Sequence, residues 1–583
     1  MAALTVAPTV SLDGEPLPSK WQEALLECKA ELELDAPAQA MLRFADPGYA
    51  LTKQRLARLG RAVTVSVPQS GTLATVEVTA IAVEQREEES PELVLTCLDR
   101  SHRMGRGTRV KTYLNTTYSD IVSDLARQHG LVAEADSTGV LLEYVLQVSS
   151  DLTFLSEMAA RSGFHWWVDG NSLHFKKPGL GKTVELKLGS GLISFSVEAS
   201  ADKPGSVEVH GWDRDQQQQL SGTASTPTLS PSSELASLVS APDRSFGSSK
   251  LVTAALAGQT QDEVDTLSKA LLDLAAWSSV RAVGLTEVRA DLRAGSSVRV
   301  LDAGPLTGVY PISRVEHTYR PGRGFMTRFW SGTGRLFADN MASRYPPLQG
   351  PATHHPGLVV GQVTSVNDPH QAGRVKVRFP GLDEGQESAW GRVLAPGGGS
   401  RRGGVFIPEV GDEVLVGFEH GDPRQPVILG GLYGSRAHIP KWPVKEGKVA
   451  SRQISSRLGH VIELSDGEGP ADQFFLVELA GQEHSLKISK QETVLSVPSG
   501  QPVTIKAGET QVALSSTGDV SIKGTNVSIE AQGNLKLSGA QVGVSADAEL
   551  QLQGQAQASM KGALLQLEAE ASASLKGAIV QIN

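Results

Sequence analysis

Cysteine, aromatic side chains and long apolar runs are all scarce in this sequence of 583 residues. Its two cysteines, Cys28 and Cys97, are too few and too far apart to build a disulfide framework or a C-x-x-C metal site. We therefore expect two reduced, buried thiols and no metal. No run of about 18 apolar residues occurs, which argues against a membrane-spanning helix. The first residues lack a basic start followed by an apolar stretch, so no secretory signal peptide is expected.

Positive charge is in deficit as well. The formal net charge of −10 favours solubility and weakens the case for a nucleic-acid-binding protein, whose surface is usually broadly basic. Aromatic residues make up 5% of the chain and glycine accounts for 60 residues, a composition that favours turns and short strands. The length predicts about four domains. We therefore predict a mainly β protein built from several modules.

Residues 1–100 carry runs in which apolar and polar residues alternate, such as AVTVSV at 62–67 and ELVLTCL at 92–98. A period of two is typical of half-buried strands. These residues are predicted to form a first β-barrel or sandwich domain.

The next region, 101–345, mixes helices with further strands. From Tyr118 the apolar residues recur at helical spacing, with Thr117 available as the N-cap. A second helix is predicted at 151–163, opened by Asp151 and closed by its final glycine. We expect a second barrel around these helices.

A polar stretch at 213–250 has too few large apolar residues to build a core, so it is predicted to be a long surface loop. A helix is predicted at 261–277, and strands resume at 296–301 and 308–319. The segment 342–357 is dense in proline and glycine and is the best domain boundary in the chain.

Residues 357–433 contain short strands and no helical pattern, which fits a small closed barrel. In GRVKVRF at 373–379, three apolar residues are predicted to face inward, and the basic residues Arg374, Lys376 and Arg378 face outward. Residues 434–502 are read as a connector and the start of a further module. No aromatic residue follows Phe475 and no proline follows Pro502.

Residues 503–583 repeat with a period of 15. Glycines stand at 524, 539, 554, 562 and 577, and pairs of aliphatic residues two apart lie between them. The pattern predicts two short strands per unit, each followed by a turn. The residues predicted to form the inward face are Val520, Ile522, Val527, Ile529, Leu535, Leu537, Val542 and Val544.

Such a ribbon cannot bury its apolar face alone, because strands of about five residues cannot close around an interior. Three copies wound into a prism would bury one face of each strand and pair every edge. The lack of aromatic rings and prolines fits a narrow axis whose ladders need every N–H group. A flexible, low-complexity tail is the alternative, but disordered segments do not hold aliphatic residues in a period of two.

Several phrases resemble the VgrG family, the spike proteins of type VI secretion systems and related contractile injection machines. Residues 357–433 resemble its OB-fold through GQVTSVNDP, GRVKVRFP and FIPEVGDEVLVGFEHGDPRQPVILGGLY, and SSRLGHVIELSD follows at 455–466. The region before resembles its hub domains through SSDLTFLSEMAARSGFHWWVDGNSLHF and GVYPISRVEHTY.

The resemblance implies a mainly β homotrimer with two hub barrel domains carrying helices, an OB-fold barrel and an intertwined C-terminal β-helix at 503–583. In that family the hub docks on a hexameric inner tube protein among baseplate proteins, and a PAAR-type protein caps the needle. The tip-docking end would be Ile579, Val580 and Ile582. Effector cargo is a further possible partner, and contact with the target envelope would be transient.

The same resemblance implies a mechanical role with no cofactor and no catalysis. Toxin-bearing relatives continue past the needle, and some phage relatives insert a lysozyme domain before it. Neither extension is expected here. We expect assembly in the cytoplasm and delivery as part of an injection particle. The phrasing favours an extracellular phage-tail-like particle, with a type VI system as the alternative.

Motifs of other chemistries are incomplete. GLGKT at 179–183 lacks the first glycine of a phosphate-binding loop because Lys176 stands there. GGGSRRGG at 397–404 has Arg402 where a nucleophile elbow needs glycine. The pair His354 and His355 has no third ligand nearby. His317 is read as a packed structural residue.

Three rival functions remain. The basic row at 374–378 suggests nucleic-acid binding, but the stacking aromatic residues that such binding generally needs are not interleaved with it. We instead expect its side chains to pair with Glu409, Asp412 and Glu413 of the same or a neighbouring chain. A trimeric adhesin or tail fibre would need a receptor-binding head. A carbohydrate-active β-helix enzyme would need paired carboxylates, whereas Glu568 and Glu570 simply alternate with alanines.

Overall fold

The computed structural model describes residues 6–332 and 357–582, apart from positions 69, 178, 180, 202, 214, 215, 217, 229, 231, 240–245, 259, 381–384 and 482. The side chains of 254–258 are also left undescribed. Two compact units make up the chain, Met1–Ile439 and Pro440–Asn583.

The first part of the first unit is an antiparallel sheet with the strand order β2-β1-β5-β6-β7-β4-β3. Its elements are β1 (Thr9–Leu12), β2 (Glu15–Pro16), α1 (Ser19–Glu23), β3 (Leu25–Glu33), β4 (Gln39–Ala45), α2 (Ala50–Gln54), β5 (Ala62–Val67), β6 (Gly71–Glu84) and β7 (Glu92–Leu98). Alternate residues of β5 and β7 are buried, as their period of two predicts. Trp21 packs edge-on against Phe44 in the core, with ring centroids 5.2 Å apart.

Cys28 and Cys97 both lie in this core as free, buried thiols. Burial raises the pKa of each thiol to about 12, which keeps both sulfurs protonated and unreactive at neutral pH. The prediction of two buried thiols is confirmed.

A helical subdomain follows. It contains β8 (Arg109–Thr116), α3 (Tyr118–Gln128), β9 (Val132–Ala135), β10 (Leu142–Ser149), α4 (Asp151–Ser162), β11 (His165–Asp169) and β12 (Ser172–Lys176). Thr117 caps α3 by accepting a hydrogen bond from the Asp120 amide, as predicted. At α4 the capping side chain is Ser150, one residue before the predicted Asp151. Asp151 is buried instead, where it pairs with Arg109 and His129.

The next six strands close into a barrel, in the order β21-β20-β13-β14-β19-β22 with β22 pairing back onto β21. The strands are β13 (Thr183–Leu188), β14 (Gly191–Ala199), β19 (Val280–Glu287), β20 (Ser297–Leu301), β21 (Gly308–Arg320) and β22 (Gly324–Ser331). Tyr310, Ile312 and Phe329 are fully buried inside. Gly284 is required here, since a Cβ atom would lie 2.2 Å from the Phe329 ring. Strand β3 pairs with β21 and joins the first sheet to this barrel.

The polar stretch at 213–250 was predicted to be a loop, and the structure corrects this. Its elements, with their neighbours, are β15 (Ser206–Asp213), β16 (Gln218–Ala224), β17 (Ser232–Ser233), α5 (Glu234–Leu238), β18 (Lys250–Gly258) and α6 (Gln261–Ser278). Strand β16 pairs with β15 and packs on α6 through Leu220 and Ala224. A small residue is needed at Gly222, where a Cβ would lie 2.3 Å from the Val264 backbone. The prediction assumed that a core needs large apolar residues. Here small residues suffice, because they let the strand pack closely against the helix.

Residues 357–433 form the predicted small barrel. Its strands are β23 (Leu358–Ser365), β24 (Lys376–Arg378), β25 (Arg392–Val393), β26 (Glu413–Phe418) and β27 (Pro426–Gly431), in the order β24-β23-β26-β27-β25. A bridge between Val375 and Gly391 joins the two ends of this sheet. Val375, Val377 and Phe379 all point into the core, as the alternation predicted.

The second unit contains two antiparallel meanders and a short hairpin. The hairpin is β28 (Val444–Lys445) with β29 (Lys448–Val449). The first meander has five strands, β30 (Ser451–Ser455), β31 (Val461–Asp466), β32 (Gln473–Glu478), β33 (Ser485–Ser489) and β34 (Thr493–Ser496). The second has three, β35 (Val503–Ala507), β36 (Thr510–Leu514) and β37 (Val520–Lys523).

Candidate functional site

One face of the five-stranded meander carries two adjoining rows of apolar residues, with polar side chains such as Arg452 and Asp466 only at their ends. The strand register sets Ile454 opposite Ile462, Ile462 opposite Val477, Val477 opposite Leu486, and Leu486 opposite Leu495. A second row runs beside it through Leu464, Phe475 and Ile488. We call these eight residues the apolar sheet face. Five of them are more than 40% exposed in the single chain.

The opposite face of this meander is mixed and partly covered, with Phe474 and Leu476 beside Glu463 and Lys487. Glu463 is only 3% exposed, and its Oε1 accepts a hydrogen bond of 2.6 Å from Lys441 Nζ in the preceding connector. Lys487 Nζ lies 4.7 Å from the centre of the Phe474 ring. The apolar sheet face is therefore the more exposed side of the meander.

The three-stranded meander repeats this design. Its register places Ile505, Val512 and Ile522 in one row and Val503, Leu514 and Val520 in the next, all on one face. Two predicted needle residues thus lie on a strand that is paired within the chain. Val520 is 66% exposed and Ile522 is 55% exposed.

From 524 to 582 the described backbone forms no strand within the chain, but it bends at regular intervals. The bends begin at residues 525, 532, 540, 547, 555, 563, 570 and 578. Each bend lies between two successive apolar pairs, so the structural period is half of the 15-residue sequence period. The remaining predicted needle residues lie on this segment, at 53–70% exposure: Val527, Ile529, Leu535, Leu537, Val542 and Val544.

The repeated glycines have a steric reason. A Cβ atom at Gly539 would lie 3.2 Å from the carbonyl oxygen of Gln541, and one at Gly577 would lie 3.1 Å from that of Ile579. At Gly554 the distance to the Gln557 oxygen would be 2.5 Å. Each glycine therefore allows the carbonyl of the following bend to approach the backbone.

The predicted tip-docking residues are exposed too. Ile579 is 89% exposed, Val580 52% and Ile582 84%. The two glutamates considered for a carbohydrate-active site, Glu568 and Glu570, are also exposed on this segment.

The basic row of the small barrel is paired differently from the prediction. Arg374 Nη2 lies 2.8 Å from Asp368 Oδ1, and Lys376 Nζ lies 3.3 Å from Glu387 Oε2. Arg378 donates to the side-chain oxygen of Gln362. Acceptors on Asp368, Glu387 and Gln362 therefore lie beside the three basic side chains. Lys376 also lies 5.3 Å from the centre of the Trp390 ring.

A buried ion cluster joins the small barrel to the helical region of the hub. Arg424 donates to Asp422 Oδ2 at 2.8 Å and to Glu263 Oε1 of α6 at 2.6 Å. Arg161 of α4 lies 3.6 Å from Asp422 Oδ2. Burial alone would raise the pKa of Asp422, but the charges of Arg424 and Arg161 outweigh it and hold this pKa well below its usual range. The cluster holds two segments that lie far apart in sequence.

The incomplete motifs have structural roles. Gly181 has φ of +52°, and a Cβ there would lie 2.2 Å from the Gly295 oxygen. In GGGSRRGG, Gly399 and Arg402 form an isolated bridge across a turn. His317 is buried, with Nδ1 2.8 Å from Thr327 Oγ1, and burial lowers its pKa to about 3. The pair His354 and His355 lies outside the described residues.

Among the described residues, no group of three or more histidine, cysteine, aspartate or glutamate side chains is placed to hold a metal ion. No helix in the described part of the chain is long and apolar enough to span a membrane.

Comparison with protein families identifies most of the first unit. The family described as the Alg8 N-terminal domain matches residues 5–320, more than half of the chain. The chain belongs to this family. A second family, the type VI secretion system and phage-baseplate injector OB domain, matches residues 359–433 directly after the Alg8 N-terminal domain region. The predicted mainly β fold with an OB barrel is confirmed.

Curated relatives of this Alg8 N-terminal domain protein are spike proteins of Pseudomonas aeruginosa strain PAO1. The type VI secretion system spike protein VgrG5 is 44% identical over 103 residues, covering 16% of this chain and 13% of the relative. The spike protein VgrG1c is 32% identical over 153 residues, covering 24% and 20%. The resemblance to the VgrG family is confirmed. The matches span about a fifth or less of the length of these relatives.

A solved structure extends the likeness of fold over most of the chain. A chain in the Francisella PdpA–VgrG complex, in its half-lidded form, aligns with a TM-score of 0.51 and 9% sequence identity. The alignment covers 84% of this chain and 87% of the other. At this identity the likeness concerns the fold alone.

Proposed function

We propose that this chain is a structural spike of a contractile injection system and that it works as a homotrimer. The observation that carries the proposal is the regular row of exposed apolar residues on the second unit. Residues 503–583 hold 22 valine, isoleucine, leucine and methionine residues. Full burial of one such side chain contributes roughly 1.5–3 kcal/mol, so burial of the whole set is worth tens of kcal/mol. That exceeds the stability of a typical domain.

Three copies around one axis satisfy this demand. Each chain contributes one apolar face, and the backbone groups of 524–582 then form ladders with the two neighbouring chains. The side chains at the predicted needle positions point to the axis, where their small size and the absence of rings allow close packing. This arrangement turns the repeat into a stiff needle.

The hub and OB barrel precede this needle along the chain. We propose that the hub, 1–100 with 101–345, docks on a hexameric inner tube protein and neighbouring baseplate proteins. The OB barrel at 357–433 and the connector at 434–502 lead to the needle at 503–583. Membership of the Alg8 N-terminal domain family, the injector OB domain and the curated spike relatives support this order.

The distal residues Ile579, Val580 and Ile582 are proposed to bind a PAAR-type tip protein, since they offer an exposed apolar surface. Effector cargo would travel with the tip. The particle would be assembled in the cytoplasm and would contact the target envelope only during puncture. We assign no cofactor and no catalytic residue.

The test is the mass of the purified full-length chain. We expect analytical ultracentrifugation and native mass spectrometry to give three copies. A well-ordered single copy would contradict the proposal. A parallel assay for peptidoglycan and glycan cleavage is expected to stay at background, and turnover abolished by Glu568→Gln would favour the carbohydrate-active alternative.

A further inference from the structure

The repeat that forms the needle does not define its own alignment. Moving one chain by 15 residues past another places Val542 where Val527 was and Val544 where Ile529 was. The same shift places Leu550 on Leu535 and Leu552 on Leu537. The bends of the two chains also stay aligned after this shift, because they recur every seven or eight residues. A pairing whose pattern survives a shift is weakly specified and prone to slip.

The apolar sheet face differs from the repeat in this respect. Its residues are spaced irregularly along the chain, and it includes Phe475, the last aromatic residue in the sequence. Its ladders are complete within one chain, from Ser451 on β30 to Ser496 on β34. The surface can therefore form before any partner arrives, and a bulky, irregular surface fits a second copy in only one alignment.

We infer that the apolar sheet face is the self-association surface that sets the axial register of the needle, and that its partners are the same face on two further copies of this chain. The inference rests on the proposed trimer. Beyond the apolar sheet face, a similar apolar row follows on the second meander, formed by Val503, Leu514 and Val520, and the exposed repeat comes next. Because identical chains are proposed to cover the repeat, we expect them to cover the apolar sheet face as well. The repeat downstream aligns by following this upstream sheet.

Charge agrees with a copy of the same face as the occupant. All eight members of the apolar sheet face are uncharged, and the two charged residues on the same side of these strands, Arg452 and Asp466, pair with each other at 2.6 Å. A face whose only charges are neutralised within each chain can meet its own symmetry mates without net like-charge repulsion.

Cysteine cross-linking of the full-length chain measures the register. Chains carrying Leu537→Cys are co-expressed with chains carrying Leu552→Cys, and the oxidised products are separated by mass. We expect disulfides only between identical positions, since the upstream sheet aligns all three chains. The native thiols Cys28 and Cys97 are buried in the first sheet and serve as an internal background.

Adding Ile488→Asp to both chains places a charge on the apolar sheet face. We expect disulfides between positions 537 and 552 to appear, or the trimer to be lost while the hub keeps its fold. Lys487→Gln, one residue away on the opposite side of the sheet, is the matched control and should keep the unmixed pattern. An Ile488→Asp trimer that retains only 537–537 and 552–552 disulfides would overturn the inference.

A second measurement leaves the apolar sheet face intact. Chains lacking residues 539–553, one full repeat, are co-expressed with full-length chains; the short chain carries Leu537→Cys and the long chain carries both Leu537→Cys and Leu552→Cys. Upstream alignment places the two thiols at position 537 at one level, so we expect disulfides between position 537 of the long and short chains. Their absence, with disulfides instead between 537 of the short chain and Leu552→Cys of the long one, would show that the distal end sets the register. A wild-type chain that never forms a trimer would instead refute the proposed function.

Discussion

The closed six-stranded barrel of the hub and the repeat at 524–582 use the same kind of residue to opposite effect. In the barrel, β22 returns to β21, every strand finds two neighbours within the chain, and Tyr310 and Phe329 are fully buried. In the repeat, the large aliphatic residues are left 52–89% exposed. The barrel has bulky rings and strands of five to thirteen residues that curve around them. The repeat has neither, so its interior must be shared between chains.

The largest effect is expected from a charge on the repeat. Ile529→Asp buries a carboxylate at the proposed axis in all three chains, and three unpaired charges cannot be desolvated there. We expect loss of the thermally stable, SDS-resistant trimer while the hub and OB barrel remain folded. Ser528→Asp, on the other face of the same segment, is the control and should be nearly silent. An unchanged trimer melting profile for Ile529→Asp would show that Ile529 does not face the axis.

The next largest effect lies in the first unit. Asp422→Ala leaves the buried Arg424 and Arg161 without their shared carboxylate, and breaking a buried pair costs about 3–5 kcal/mol. We expect earlier melting of the hub and OB barrel, measured by differential scanning calorimetry, with the trimer needle retained. Glu89→Ala removes an exposed pair with Arg86 and should cost under about 1 kcal/mol. Equal losses for the two variants would show that the cluster contributes no more than a surface pair.

A pH-dependent effect is expected at Glu157 on α4. Burial raises the pKa of this carboxyl to about 7, and its Oε1 has no hydrogen-bond partner among the described residues. The folded protein therefore holds this proton more tightly than the unfolded chain, and the stability it supports falls as pH rises from about 4.5 through 7. At pH 8, Glu157→Gln should raise the free energy of unfolding by at most ~3 kcal/mol, and the melting temperature should rise with it. At pH 4.5 the substitution should change both quantities little. A gain that is equal at both pH values would contradict the raised pKa.

The smallest effect concerns the bends of the repeat. Gly554→Ala places a Cβ 2.5 Å from the Gln557 oxygen, whereas Gly543→Ala has open space within 4 Å. We expect Gly554→Ala to lower trimer stability by about 1 kcal/mol per chain and Gly543→Ala to be close to neutral. Thermal melting of the two trimers gives the comparison. A neutral Gly554→Ala would mean that the bend has no steric need for glycine.

Sequence reasoning succeeded where one local pattern decided the structure. The period of two at Glu92–Leu98 and the Thr117 cap before Tyr118 both appear in the structure with the predicted bounds. Prediction from the sequence failed where residues distant in sequence determine the local structure. Strand β16 was missed because its inner face is small and packs on a helix 40 residues later. The contact of Arg374 with Asp368, six residues earlier, was not predicted, and pairing of the basic row with a neighbouring chain stays a prediction.

The candidate site divides in the same way. The 15-residue glycine period and the aliphatic pairs were visible in the sequence, and the bends of the structure fall between those pairs. The apolar sheet face was not visible, since its eight residues are irregularly spaced and become one surface only through the register of five strands. The inward assignment of the needle residues and the domain boundaries stay predictions.

The pairing of β3 with β21 has a mechanical consequence. Six residues of each strand are paired, from Glu33 opposite Arg314 to Cys28 opposite Tyr319. The first sheet and the closed barrel therefore belong to one hydrogen-bonded sheet of fourteen strands. A force that slides the closed barrel past the first sheet along this seam must shear all six positions at once, because antiparallel bonds lie across the strand direction. We therefore expect the sheet and the barrel to move together, with no hinge at this seam.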